Sequence, residues 1–192
     1  VHNINSFLAQ SCVEHPNFIG FGSIYPGMDG WEEELDRMQA LGLRGLKIHP
    51  DFQHLNLDDP CGYEMYRSVA RRGMIVLFHM GDNRYDYSTP ERLINLLRHA
   101  PDLRVIAAHF GGWNAWEHSY EHPLPENVLY DTSGTTPKIP REFVLRMLER
   151  FGAERFLFGT DFPMWKPADM VRQFLELGLD EATLTRIFSG NF

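Results

Sequence analysis

Six short apolar runs recur along the chain, and each run ends on a polar residue that a loop and a helical pattern follow. The polar ends are Tyr25, His49, His79, His109, Asp131 and Asp161, at intervals of 24, 30, 30, 22 and 30 residues. Strands and helices that alternate at this spacing require right-handed crossovers between parallel strands. Near-continuous apolar runs agree, because parallel strands are buried on both faces. The recurrence therefore predicts an α/β fold with a parallel sheet.

Hydrophobic periodicity delimits the individual elements. Strands are predicted within 18–25, 43–49, 74–80, 103–109, 127–131 and 155–161. Helices are predicted over 2–14, 31–41, 61–72, 89–99, 140–151 and 168–177. The helix over 89–99 illustrates the signals, since Ser88 or Thr89 can cap it, Pro90 suits its first turn and its leucines form an apolar stripe.

Two architectures fit this alternation, an open doubly wound sheet and a (β/α)₈ TIM-type barrel. A nucleotide-binding open sheet would carry a glycine-rich phosphate loop, and neither GxGxxG nor GxxxxGK[ST] occurs in the sequence. In a barrel, functional side chains lie at the C-terminal ends of several strands, which is where the histidines and aspartates fall. A barrel is favoured, but a typical one has eight strands in about 250 residues. We therefore expect residues 1–192 to form a single, partial barrel domain.

Composition and charge restrict the classes of partner. Hydrophobic residues make up 43% of the chain and aromatic residues 13%, which is typical of a globular protein. The formal net charge of −8 argues against nucleic acid and anionic membranes as partners. The chain has neither a basic-then-apolar leader nor an apolar run of roughly 20 residues, so a cytoplasmic location is expected. The open edges of a partial barrel predict a homo-oligomer.

His79, His109 and Asp161 each end a separate apolar run, and adjacent strands would bring them to one mouth of the barrel. Imidazole nitrogens and carboxylate oxygens are ligands for Zn²⁺, Mn²⁺ and Fe²⁺. Such an ion lowers the pKa of a bound water and polarises a carbonyl. One histidine at a strand end is more often a surface or hydrogen-bonded residue. Three ends on runs of the same type favour a metal or catalytic site.

The strand ends also resemble those of a known family. The segments "GLRGLKIHP", "LFHMG", "AAHFGG", "VLYDTSG" and "FGTDFPMW" look like successive strand ends of the amidohydrolase-related (amidohydrolase 2) metal-dependent hydrolases. The resemblance runs from about residue 15 to the end of the chain. These (β/α)₈ enzymes form part of the amidohydrolase superfamily, which also includes non-oxidative decarboxylases.

This resemblance implies a role for each of three residues. His79 matches the metal ligand on the fifth strand of the family's barrel. His109 matches the sixth-strand histidine, which is a second metal ligand in binuclear members and an acid/base or substrate-polarising group in mononuclear ones. Asp161 matches the eighth-strand aspartate, which binds metal and activates the hydrolytic water. The expected ion is zinc, with manganese or iron as alternatives.

The sequence departs from the family pattern in one respect. The family's first strand carries an H-x-H pair that supplies two metal ligands, and no H-x-H occurs in these 192 residues. Strands three to eight are thus expected and the first two are not. The lead hypothesis is a metal-dependent hydrolase of a small amide, lactone or ester. The alternatives are a non-oxidative decarboxylase of a ring carboxylic acid and, because the H-x-H ligands are missing, a catalytically silent ligand-binding or assembly subunit.

Five further residues are candidates for binding the small-molecule substrate. Lys47 and His49 lie two apart on one strand and so share a face. Either is expected to contact an acidic substrate group, although the resemblance also allows a carboxylated Lys47, and His49 can be held by local hydrogen bonds. Trp113 and Trp165 lie in loops where they can line a pocket or pack beneath the loop.

Asp82 and Asp131 complete the set of candidate polar residues. Asp82 lies in the loop after His79 and is expected to contact the substrate, with a turn-forming role as the commoner alternative. For Asp131, which opens the segment "DTSG", bracing of the loop competes with a substrate contact.

Overall fold

A computed structural model describes residues 1–192 and contains one six-stranded sheet. Its strands are β1 (Phe21–Gly22), β2 (Gly45–Ile48), β3 (Ile75–Phe78), β4 (Arg104–Ala107), β5 (Leu129–Asp131) and β6 (Phe156–Leu157). All neighbouring strands are parallel, and their order in the sheet is their order in the chain. Because β1 and β6 do not pair with each other, the sheet is the open wall of a partial barrel. The predicted fold class is confirmed.

Nine α-helices connect or flank the strands. They are α1 (His2–Glu14), α2 (Trp31–Ala40), α3 (Pro50–Gln53), α4 (Tyr63–Arg71), α5 (Pro90–His99), α6 (Trp116–Glu121), α7 (Arg141–Phe151), α8 (Pro167–Leu175) and α9 (Glu181–Thr185), and a π-helical turn follows over Arg186–Gly190. The six predicted helices are confirmed to within about two residues. The short helices α3, α6 and α9 were not predicted, since a helix of four to six residues is too short to show a period. None of the helices combines the length and apolarity needed to cross a bilayer.

The two faces of the sheet differ in burial. On the outer face, Leu46, Val76, Phe78 and Tyr130 are at most 1% exposed and belong to the core packed beneath the helices. The concave face carries Lys47 and its register partner Leu77, both partly exposed. A groove of ≈ 610 Å³ runs over this face, lined in part by Leu77, Ile106 and Asp131. The concave face therefore corresponds to the interior of the barrel.

The strands at the two open edges are shorter than predicted. β1 ends at Gly22 and β6 at Leu157, so Tyr25 and Asp161 lie beyond the paired segments. The edge of β6 is met by the C-terminal segment, where the Phe158 N–H donates to the Ile187 carbonyl at 2.8 Å and the Asn191 side chain donates to the Phe156 carbonyl at 2.8 Å. These bonds satisfy backbone groups that a neighbouring strand would otherwise pair.

A buried carboxylate ties α1 to the sheet. Asn5 donates to Glu34 Oε1 at 2.7 Å and to the Ser23 carbonyl at 3.0 Å, and it accepts from the Ser23 N–H at 2.8 Å. Arg37 Nε donates to Glu34 Oε2 at 2.8 Å, and His2 contacts the same oxygen. Glu34 is 1% exposed, so its charge is tolerated only because these donors replace water.

We predict that Glu34→Gln lowers the free energy of unfolding by about 2–3 kcal/mol at neutral pH, because bonds to a charged group are lost. The hydrogen bond from Arg37 lowers the pKa of Glu34 from 4.5 to about 2. The carboxylate's stabilisation is therefore complete above pH 4.5 and is lost as the pH falls toward 2. Urea unfolding at neutral and acidic pH measures both effects. Glu64→Gln, in an exposed ion pair with Arg71, is the control and should change stability little; equal stability of Glu34→Gln and wild type would contradict the prediction.

Candidate metal-binding site at the strand ends

The structure brings His79 and His109 together at the carboxyl ends of β3 and β4. His79 follows Phe78 directly, and His109 lies two residues after Ala107 in a short 3₁₀ turn. His79 Nδ1 is 3.1 Å from His109 Nε2, and the two rings meet edge to face at 65°. Two of the three predicted metal ligands are thus in direct contact, because parallel neighbouring strands end on the same side of the sheet.

The surroundings of His109 determine which of its nitrogens carries a proton. His109 Nδ1 lies 2.9 Å from the Ser133 carbonyl oxygen and 2.9 Å from Ser133 Oγ. The Ser133 hydroxyl donates its own hydrogen to Asp131, so both oxygens can only accept from His109. In the neutral ring, Nδ1 therefore carries the hydrogen and Nε2 is bare. The bare Nε2 accepts a hydrogen bond from His79 Nδ1–H.

Asp131 braces the loop that holds His109. Its Oδ1 accepts from the His109 N–H at 3.0 Å, from the Ser133 N–H at 2.8 Å and from the Ser133 hydroxyl. The brace matters because His109 and Phe110 have φ angles of 60° and 55°, a region that non-glycine residues adopt only under constraint. Of the two roles considered for Asp131, loop bracing is the one its hydrogen bonds show.

The other nitrogen of His79 is buried without a partner. The hydrogen on Nδ1 leaves Nε2 bare in the neutral ring, and Nε2 has no hydrogen bond. It shares this condition with His49 Nδ1 and Asp51 Oδ1. Asp51 Oδ2 lies 4.0 Å from His79 Nε2 and 3.9 Å from His49 Nδ1, and it accepts from the Ser88 hydroxyl at 2.9 Å. The His49 ring is stacked between Phe52 and His79, at centroid distances of 3.9 and 3.8 Å.

This cluster fits a divalent metal ion. Donor atoms of His49, Asp51 and His79 lie within 4.8 Å of one another. Burial lowers the pKa of His79 to about 2 and that of His49 to about 4, so both rings are neutral at physiological pH. Neutral imidazole is the form that binds metal. A buried nitrogen has lost its hydrogen bond with water, and a bound ion would replace that lost interaction. The His79 ring is also oriented by its bond to His109, as ligating histidines usually are.

Asp161 lies at the rim of the site. It is exposed, has a φ of 59° and follows β6 by four residues. It gathers with the two predicted tryptophans around Gly134, where an added Cβ would lie 3.6 Å from Asp161 Oδ2, 3.2 Å from Trp165 Nε1 and 3.0 Å from the Trp113 ring. His79, His109 and Asp161 do not form a group of donors within 4.8 Å of one another. The role of Asp161 as a metal ligand stays a prediction.

Lys47 and Asp82 differ in how well they are already paired. Lys47 faces the concave side of the sheet, where burial lowers its pKa and the charges of Asp131 and Asp161 act in the opposite direction. Asp82 is buried, and Arg84 binds its two carboxylate oxygens at 2.9 and 2.6 Å. A substrate would therefore compete with Arg84 for Asp82, whereas the Lys47 ammonium makes no hydrogen bond or ion pair with another side chain. Both substrate contacts stay predictions.

Sequence reasoning missed three residues of this site. Asp51 directly follows Pro50 in the first turn of α3, where an acidic residue is ordinary because of the helix dipole. Ser133 lies in a turn-like segment, and the sequence marks Ser88 only as an alternative helix cap, a role that Thr89 fills. The one available signal was the carboxylate two residues after His49 at a strand end.

Parallel strands that end in histidines, with bare imidazole nitrogens buried among them, define a (β/α)-barrel protein of the metal-binding class. The amidohydrolase family model matches residues 1–191. The chain belongs to this amidohydrolase family, whose members are metal-dependent. The resemblance inferred from the strand ends is thus confirmed.

Individual relatives agree with this assignment. The chain is 23% identical over 238 residues to the 2-amino-3-carboxymuconate-6-semialdehyde decarboxylase of Dictyostelium discoideum, covering 98% of this chain and 64% of that protein. It therefore spans less than two thirds of this curated relative.

Two solved structures show the same fold. One is the 5-carboxyvanillate decarboxylase of Novosphingobium aromaticivorans with manganese and 4-hydroxy-3-methoxy-5-nitrobenzoic acid, at a TM-score of 0.78 and 21% identity over 99% of this chain and 67% of that one. The other is the probable 2-pyrone-4,6-dicarboxylic acid hydrolase of Acinetobacter baumannii with citric acid. Its TM-score is 0.72, and it is 18% identical over 97% of this chain and 76% of that one.

We predict that Asp131→Ala destabilises the protein by about 2 kcal/mol more than Asp131→Asn, because asparagine keeps one acceptor oxygen for the three donors. Urea unfolding compares the two variants. The Nδ1–H proton of His109, observed by NMR, should exchange faster with water in Asp131→Ala than in Asp131→Asn. If the two variants matched in both measurements, Asp131 would not be the brace of this loop.

Proposed function

We propose that the complete protein is a metal-dependent enzyme that removes the carboxylate of a small ring acid as carbon dioxide. The observation that carries this proposal is the His79–His109 hydrogen bond, which leaves a bare, buried Nε2 on His79 and an anchored imidazole on His109. The curated relative of the family, a decarboxylase, supports the choice of reaction. The hydrolase predicted from the sequence becomes the second candidate.

His79 would hold the metal through Nε2, with His49 and Asp51 as the nearest further donors and Asp161 as the ligand that the resemblance implies. When bound, a divalent ion supplies Lewis acidity that polarises substrate oxygens. Imidazole favours zinc, while carboxylates also suit manganese, the ion present in the 5-carboxyvanillate decarboxylase. Zn²⁺ and Mn²⁺ are therefore the ions to test.

His109 would supply the proton that the ring carbon needs after decarboxylation. Decarboxylation breaks the bond between the ring carbon and the carboxylate, leaves the electron pair on the ring carbon and requires a proton there. Ser133 fixes Nδ1–H of His109, so Nε2 is the nitrogen that would gain this proton and deliver it, after its hydrogen bond from His79 Nδ1–H opens. His109 is 3% exposed, which separates it from competing water.

Lys47 would hold an anionic group of the substrate. Its side chain lies on the concave face of the sheet, and the negative charges of Asp131 and Asp161 act on its ammonium. Three hydrogen bonds to Oδ1 hold Asp131 toward the His109 turn, and its charge acts on Lys47 without a hydrogen bond between the two side chains. Trp113 and Trp165 would line the pocket for the ring of the same small molecule, as expected from the sequence, while His49 would hold the metal and not the acidic substrate group predicted for it.

A hydrolase of a lactone, amide or ester is the second candidate. The exposure of Asp161 at the rim favours it, because a carboxylate open to solvent can receive a proton from an attacking water. The likeness to the probable 2-pyrone-4,6-dicarboxylic acid hydrolase extends to the fold and is compatible with either reaction.

The reaction and its metal dependence can be tested together on the complete protein. We expect a chelator to abolish turnover of ring carboxylic acids and Zn²⁺ or Mn²⁺ to restore it. Each organic product should be accompanied by one released carbon dioxide, and the organic product should contain no ¹⁸O from labelled water. Incorporation of ¹⁸O into a ring-opened product would instead support the hydrolase. Full activity after complete metal removal would overturn both.

We predict that His109→Asn lowers kcat by about 10²- to 10⁴-fold, the usual contribution of a general acid or base. Metal affinity should fall by no more than about 10- to 100-fold, the cost of losing an outer partner of a ligand, so the loss of kcat should persist at saturating metal. Steady-state kinetics and metal analysis of the purified variant measure this. His99→Asn, whose ring stacks on Tyr63 at the end of α5, is the control and should retain activity. Failure of His109→Asn to bind metal even at saturating concentration would indicate that His109 is a ligand instead.

A further inference from the structure

A second cluster of metal-binding side chains lies outside the strand-end site. It joins Glu91 in the first turn of α5 with His118 and His122, four residues apart at α6. His118 Nε2 lies 2.9 Å from Glu91 Oε1 and 3.1 Å from Oε2, and His122 Nε2 lies 3.5 Å from Oε1. The donor atoms of the three residues lie within 4.8 Å of one another.

The hydrogen bonding of His122 suits a cation at this cluster. His122 Nδ1 lies 3.0 Å from the His118 backbone carbonyl, which can only accept, so the neutral ring carries its hydrogen on Nδ1. In the neutral ring, the lone pair of the bare Nε2 then points at the negatively charged Glu91 carboxylate, and the two repel each other. A metal ion between them would convert this repulsion into two bonds. A histidine whose other nitrogen donates to a backbone carbonyl is the usual form of a metal ligand.

The spacing of the donors agrees with a metal ion. Bonds of about 2.0–2.1 Å to a tetrahedral Zn²⁺ place neighbouring ligand atoms about 3.3 Å apart. The observed nitrogen–oxygen distances of 2.9 and 3.5 Å bracket this value. The three side chains are 42–48% exposed, so solvent can reach the remaining coordination position.

We propose that Glu91, His118 and His122 bind a transition-metal ion of the Zn²⁺ type, separately from the strand-end site. The ion links the start of α5 to α6. Trp116, on α6, donates through Nε1 to the carbonyl of His109 at 3.0 Å. Binding at the surface therefore restrains the helix that supports the His109 turn.

The test uses Co²⁺ as a spectroscopic probe and Zn²⁺ as its competitor on the complete protein. In His79→Gln, which removes one donor of the strand-end site, we expect the visible bands of a histidine-ligated Co²⁺ to persist, to be displaced by Zn²⁺ and to be lost when His118→Gln/His122→Gln is added. In His118→Gln/His122→Gln, Zn²⁺ binding at the surface should weaken by more than about 10- to 100-fold, the cost of losing even an outer partner of a ligand. His15→Gln, an exposed histidine outside the cluster, should bind as wild type does.

The thermal stability of the protein provides a second readout, which does not require the variant His79→Gln to fold. Zn²⁺ should raise the Tm of wild type more than that of His118→Gln/His122→Gln or Glu91→Gln, because an ion bound only by the folded state stabilises it. Equal Zn²⁺ affinity and equal Tm shifts in wild type and the surface variants would overturn the proposal. Those results would leave Glu91 and the two histidines as an ordinary ion-paired cluster.

Discussion

The hydrogen bond from His109 Nδ1 to Ser133 is the interaction on which the geometry of the candidate site depends. Asp131 accepts a hydrogen bond from the Ser133 hydroxyl, so the Ser133 oxygens can only accept a hydrogen bond from His109. That restriction fixes the tautomer of His109, which in turn fixes the tautomer of His79. A carboxylate at the end of β5 thereby determines that the nitrogen of His79 facing the buried cluster is bare. The metal-binding capacity of the site is thus set by proton positions as much as by ligand identity.

The parallel sheet makes this relay feasible. Strands in chain order end at the same rim, so residues 22 and 30 positions apart in sequence become hydrogen-bonding neighbours. The helices bury the outer face completely, which holds β3, β4 and β5 in a register that the concave face, open to a groove, could not enforce alone. Rigid packing on one side is what allows polar and strained groups to persist on the other.

The sequence was sufficient to predict the architecture and the meeting of His79 with His109, because both follow from period, spacing and strand direction. It was insufficient for Asp51 and Ser133, whose importance arises from contacts across 24 to 37 residues that no local pattern encodes. The sequence was also insufficient to predict that Asp161 lies beyond the end of its strand. β6 lies at an open edge, where pairing on one side ends after Leu157 and local turn geometry decides where the carboxylate points.

Water access separates the two reactions considered for this site. Protonation of a ring carbon by His109 benefits from the exclusion of water, and His109 and His79 are 3% and 8% exposed. Hydrolysis requires a water beside a base, and the carboxylate open to solvent, Asp161, is not grouped with the buried imidazoles. Each reaction therefore relies on a different part of the site: decarboxylation on the relay from Asp131 to His79, hydrolysis on a closer approach of Asp161. Decarboxylation requires only that the hydrogen bond between His79 and His109 opens, whereas hydrolysis requires Asp161 to approach the buried imidazoles, which is the physical reason to prefer decarboxylation.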